Sequence, residues 1–158
     1  MATVFSDNTY PAAANFTITL ASLANSTVGV GRQSTLIDNT TNRYLAAQIN
    51  LKITMGTSPT ANSLVYVYLI RYDNTAIADD AAGASDAGWT QINASLLGTI
   101  VCSAATSNAS YYEILNTEFL GPLGPKWGIG IVNSTGVALN STEGNHGYSW
   151  IGINKLGT

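Results

Sequence analysis

The chain is short of charge, of cysteine and histidine, and of long apolar runs. Lys and Arg supply 6 of its 158 residues and Asp and Glu 9, so 9% is charged, against roughly 25% in ordinary soluble domains. The six cations are scattered as Arg32, Arg43, Lys52, Arg71, Lys126 and Lys155, and the net charge is −3. Without a basic stripe to neutralise phosphates, direct nucleic acid binding is not expected. No stretch approaches the roughly 20 apolar residues of a membrane-spanning helix, so no membrane partner is expected. The first eight residues have neither a basic n-region nor an apolar h-region, and no secretion route is expected. The one cysteine, Cys102, has no disulfide partner, and in the apolar run of residues 96–102 it reads as a small core residue. At this length a single fold can bury about 70% of its unfolded surface without a staple.

The material for catalysis is equally thin. His146 lies in the turn Gly144-Asn145-His146-Gly147, with no second His or Cys nearby to complete a metal site. Glu113 and Glu118 are five apart on a predicted strand, which aims them at opposite faces and denies them a shared scissile bond. No Gly-x-Ser-x-Gly elbow, phosphate loop or Cys-x-x-Cys pair is present. Asp79, Asp80 and Asp86 fall in an Ala, Asp and Gly-rich loop over 73–88, without the alternating oxygen ligands of a calcium loop. These absences lead to the expectation of no enzyme, no cofactor and no metal.

Asn, Ser, Thr, Gly and Ala take the place of charge, groups that cost far less than ions to strip of water when another surface docks. Seven Asn-x-Ser/Thr sequons, at Asn15, Asn25, Asn39, Asn93, Asn108, Asn133 and Asn140, read as turn chemistry. Apolar residues recur with a period of two, and no sustained helical spacing appears. Residues 16–20 alternate, as do Ile49, Leu51, Ile53 and Met55 with polar neighbours. Further strands are expected at about 28–37, 63–72, 96–102, 110–119, 127–133 and 147–153. The expected fold is all-β: a two-sheet antiparallel sandwich, jelly-roll-like, of about eight strands. Residues 1–15 read as an N-terminal arm that orders on a neighbour, and 16–158 as one sandwich domain.

Residues 64–72 break the half-wet pattern. Val65, Val67 and Leu69 point one way, and Leu64, Tyr66, Tyr68, Ile70 and Tyr72 the other, so both faces call for cover. Either the 73–88 loop or the arm overlies the tyrosine face, or Tyr66, Tyr68 and Tyr72 form a subunit interface. Trp127 and Trp150 sit in strands and read as at least partly buried, whereas Trp89, at the end of the long loop, reads as the freest to be exposed. Exposed aromatics beside amides would make a carbohydrate-binding module.

Segments at 20–25, 38–44, 125–129, 132–139 and 144–146, the last Gly144-Asn145-His146, resemble those of small virion structural proteins of tailed bacteriophages. The resemblance implies a capsid decoration (cement) protein, a β-sandwich that braces the major capsid protein on the outer surface of the head. It also implies a homotrimer on the capsid surface of the virion. A carbohydrate-binding or host-adhesion module of a phage tail or fibre is the alternative. The motifs are turns and strands, so no functional residue is carried over.

Overall fold

The computed structural model describes residues 7–26, 30–72, 85–89, 93–103 and 105–156. Among these are β1 (Asp7–Thr9), β2 (Ala14–Asn15), β3 (Val30–Gln33), β4 (Ile37–Asp38), β5 (Ala46–Thr54), β6 (Ser63–Tyr72), β7 (Ala87–Gly88), β8 (Ser95–Cys102), β9 (Ser110–Asn116), β10 (Lys126–Ser134) and β11 (Gly147–Leu156). They form two antiparallel sheets. The first runs β1-β11-β5-β9 with β2 also on β11; the second runs β7-β3-β10-β6-β8 with β4 also on β10. The earliest strands pair with the last, and β3 and β4 pair with the penultimate. This strand order is that of a jelly roll.

Alternation along the strands builds the core between the sheets. Ile49, Leu51 and Ile53 of β5 face Val65, Val67 and Leu69 of β6 and Ile129 and Ile131 of β10, all buried. Each such side chain contributes about 1.5–3 kcal/mol of transfer free energy. At one end Trp127 meets Trp150 edge-on at 5.2 Å and Phe16 at 5.6 Å.

Two expected boundaries shift for local reasons, and one expected strand joins no ladder. The strand expected at 28–37 splits because Ser34 Oγ, in place of a backbone carbonyl, accepts the Ile129 N–H at 3.0 Å. The strand expected at 110–119 stops at Asn116, whose side chain accepts the Glu118 N–H at 2.9 Å and opens a 3₁₀ turn over Thr117–Leu120. Glu118 therefore does not share a strand with Glu113. Residues 16–20 keep their alternation, with Phe16, Ile18 and Leu20 buried and Thr17 and Thr19 exposed. They cross between the sheets rather than joining a ladder: Phe16 N–H donates to Tyr148 O in β11, and Thr17 O accepts from Thr35 N–H beside the second sheet.

Within the expected arm, β1 and β2 both hydrogen-bond to β11 of the same chain. Residues 7–9 and 14–15 thus have their backbone partners at home, although Tyr10 stays exposed. Residues 1–6 lie outside the described part, as do Asp79 and Asp80 in the long loop.

Candidate protein-contact surface

The outward faces of the two sheets differ. On the second sheet, glycines leave a trough that the chain fills itself. A Cβ on Gly130 would lie 1.9 Å from Trp89 Cη2, and one on Gly31 would lie 3.0 Å from Trp89 Cε3. The indole lies flush on the backbone of β3 and β10 and meets the Tyr68 ring edge-on at 5.1 Å. With Ile70 and Val132 it forms a small second core outside the sandwich, flanked by Leu36, Tyr66 and Tyr68. Trp89 is 3% exposed, so the expectation that it is the freest tryptophan is wrong. Polar loop composition hid a side chain whose receptor, two glycines on strands distant in sequence, exists only after folding.

Tyr66, Tyr68 and Tyr72 stand on this outer face of β6, each half-buried. Tyr72 lies near the Lys126 ammonium, 5.8 Å from its ring centre. Part of the cover that Tyr66 and Tyr68 call for is thus intramolecular, supplied by the Trp89 cluster with Ala87 and Ala94.

The outer face of the first sheet is open. Its cross-strand rows read Gly147-Lys52-Tyr112, Ser149-Asn50-Ile114 and Ile151-Gln48-Asn116. Lys52 is the one charge in these rows. Tyr112 and Ile114 are 69% and 66% exposed, and Phe119, in the 3₁₀ turn that follows β9, is 91% exposed. Asn15, Asn50, Lys52, Tyr112, Glu113 and Ser149 are among the residues lining a shallow depression of about 370 Å³. Such a face presents amides, hydroxyls and the apolar side chains of Tyr112, Ile114 and half-buried Ile151 on a paired ladder. Its signal in the sequence is the strand Ser-Tyr-Tyr-Glu-Ile-Leu-Asn, which has apolar side chains in both alternating registers, but only strand pairing shows which register faces water.

The described titratable groups are largely engaged in holding the fold. Glu143 grips the crossing segment: Leu20 N–H donates to both carboxylate oxygens at 3.0 and 2.9 Å, Ala21 N–H at 2.6 Å and the Tyr148 hydroxyl at 2.8 Å. Burial pushes the Glu143 carboxyl up, but these donors outweigh it and hold the group below its ordinary value. Burial and the same contact push Tyr148 up to about 12. Arg32 holds the other side of the segment, donating to Thr19 O and Ala21 O at 2.9 and 2.8 Å while pairing with Asp86 at 2.5 Å. Asp86 also accepts the Ala24 N–H at 3.1 Å. His146 sits buried in its turn, Nδ1 accepting from Thr54 N–H at 3.3 Å and Nε2 3.0 Å from Asn140 O. Cys102 is buried, and burial raises its thiol. Among the described residues no three His, Cys, Asp or Glu side chains converge as a metal site. No described helix is long and apolar enough to cross a membrane.

Five of the seven sequons act as turn chemistry, Asn108 by holding a left-handed turn position at φ 56°. Buried Asn133 donates to Leu23 O and Val137 O and accepts from Thr135 N–H and Oγ1–H. Buried Asn39 donates to Tyr44 O and Gly124 O, each at 2.9 Å. Asn25 accepts the Gly136 N–H, and Asn140 the Thr142 N–H. The amide nitrogens of Asn39 and Asn133 are consumed by these bonds.

No protein-family model and no curated protein matches the chain. Among solved structures it is similar to a chain in a structure of infectious bursal disease virus, Gx strain, at 19% identity and a TM-score of 0.21. The match covers 96% of this chain and 40% of the viral one, so this chain spans less than half of that chain's length. A likeness of that size carries no argument about function.

Proposed function

We propose that this chain is a structural virion protein, a capsid decoration protein that lays the open face of its first sheet on the outside of a phage head and braces the major capsid protein lattice. The observation that carries the reading is the contrast between the two sheets. One covers the centre of its outer face, over β3 and β10, with its own tryptophan, while the other leaves a ladder with Lys52 as the one charge in its rows and with Tyr112 and Ile114 the more exposed apolar side chains. Neutral amides and hydroxyls are cheap to desolvate, and an aromatic anchor among them suits a protein partner. Many copies binding an assembled shell, and not its separate subunits, stabilise that shell by mass action.

The carbohydrate-binding alternative calls for coplanar exposed aromatics beside amides. All three tryptophans are buried, and Tyr112 is the one exposed aromatic in the described rows of the open face. Adhesion to protein is the better fit. The test is co-sedimentation of the purified chain with phage heads assembled without it. Saturable binding that raises the temperature of head disruption supports the proposal. Binding to tails, to glycans on an array, or to neither particle part overturns it.

A further inference from the structure

We infer that β8 is a self-pairing edge, through which two copies of this chain join their second sheets antiparallel about a two-fold axis. The inference goes beyond the docking role and uses a different surface. A sandwich must protect its edge strands, whose outward N–H and C=O groups otherwise template pairing with other chains. Three edges here are managed: β1 and β2 are two or three residues long, β7 is two, and β9 carries Glu113, which would meet its own copy's charge.

Among the described residues the fourth edge shows no such device. β8 runs eight residues as Ser-Leu-Leu-Gly-Thr-Ile-Val-Cys, without charge or proline, and among the described residues its ladder partner is β6 alone. Leu96 and Val101, on its outer side, are 50% and 49% exposed.

β8 can pair with its own copy in any register whose two-fold axis passes through a residue, and the register centred on Ile100 shows how its faces match. Pairing with β6 sets Thr99 and Val101 opposite the outward-facing Tyr66 and Leu64, and Ile100 opposite the inward-facing Val65. An antiparallel axis through Ile100 places Thr99 across from the second copy's Val101, both on the outer face, and Gly98 across from its Cys102, both on the inner face. Directly opposed residues in an antiparallel pair share a face, so the register satisfies every position from 98 to 102. It opposes no like charges, although each copy carries a net −3. The half-buried Tyr66, in the next strand, then flanks the seam, which gives the expected tyrosine contact a specific place.

The test is sedimentation velocity over a concentration series on the full chain and on Val101→Lys, with urea unfolding to show that the variant is folded. A concentration-dependent dimer whose dissociation constant rises at least about tenfold in V101K is expected, since an edge lysine is the usual block to strand pairing. In a second measurement, Thr99→Cys treated with a short bismaleimide gives a cross-linked dimer and Glu113→Cys does not. A monomer at all concentrations, an oligomer that V101K leaves intact, or cross-linking at 113 in place of 99 overturns the inference. Loss of head binding by the open face of the first sheet would leave this result unchanged, so the two readings fail separately.

Discussion

Replacing Gly130 by alanine tests whether the chain really seals its second sheet with Trp89. The new methyl group would sit 1.9 Å from Cη2 and 2.5 Å from Cζ3 of the indole, atoms of a rigid ring that has no flexible end to give way. Overpacking of this kind costs about 1–3 kcal/mol. The ceiling is set by expelling the ring altogether, which costs about 3–5 kcal/mol, as a Trp→Ala truncation does. Against this, alanine in a strand interior recovers about 0.5–1 kcal/mol relative to glycine. The net expectation for G130A is a loss of about 1 kcal/mol and at most about 2.5 kcal/mol, or a fall in Tm of roughly 2–10 °C at this chain length. Urea unfolding followed by tryptophan fluorescence reads it, with the native spectrum shifting red as Trp89 meets water. In the Trp89→Ala background the same substitution should cost nothing or stabilise slightly, a coupling expected in double-mutant cycles for residues in contact. Equal costs in both backgrounds, or a neutral G130A in the wild type, would refute the packing argument.

Glu143→Gln should destabilise the fold by about 1–3 kcal/mol near neutral pH, because charge-assisted bonds to Leu20, Ala21 and Tyr148 weaken. Since the folded carboxyl lies below its ordinary value, its contribution is present above the unfolded pKa and lost as pH falls through the folded one. The gap between wild type and E143Q in chemical unfolding should therefore close in acid. Tyr148 runs the other way: its raised folded value, about 12, gives stability that is complete below the ordinary value near 10 and lost between the two. Tyr148→Phe should flatten that alkaline limb. Asn133→Ala should cost about 1–3 kcal/mol, chiefly through the buried Thr135 N–H that loses its acceptor, since Leu23 O keeps the Leu139 N–H and Val137 O the Thr135 hydroxyl. If the chain is routed through a eukaryotic secretory pathway, intact mass spectrometry should find Asn39 and Asn133 unglycosylated in the folded product.

Much of the fold was readable because period-two patterning is a local property. The alternation of Ile49, Leu51 and Ile53 placed β5 and its inner face correctly, and the doubly apolar β6 announced that its second face needed cover. What supplied the cover was not readable, because Trp89 meets Gly31 and Gly130 through pairing that brings β3, β7 and β10 together. Residues 16–20 carry a strand's pattern, yet their backbone bonds go to two different sheets, which alternation cannot distinguish from a ladder. The open face was hidden for a related reason: Tyr111 and Leu115 pack on the core while Tyr112 and Ile114 face water, a choice made by register with β5. His146 was legible as a turn residue, since glycines flank it and no ligand partner accompanies it.

The central claim is that the neutral outer face of the first sheet docks on a protein lattice. Cryo-electron microscopy of heads saturated with the chain tests it most directly, with Tyr112→Lys/Ile114→Lys as the paired control. The account predicts that β5, β9 and β11 face the capsid with Tyr112 and Ile114 buried in the contact, and that the double variant leaves the heads bare while unfolding at the wild-type urea midpoint. Density that places this sheet toward solvent, or a double variant that decorates the heads normally, would contradict it.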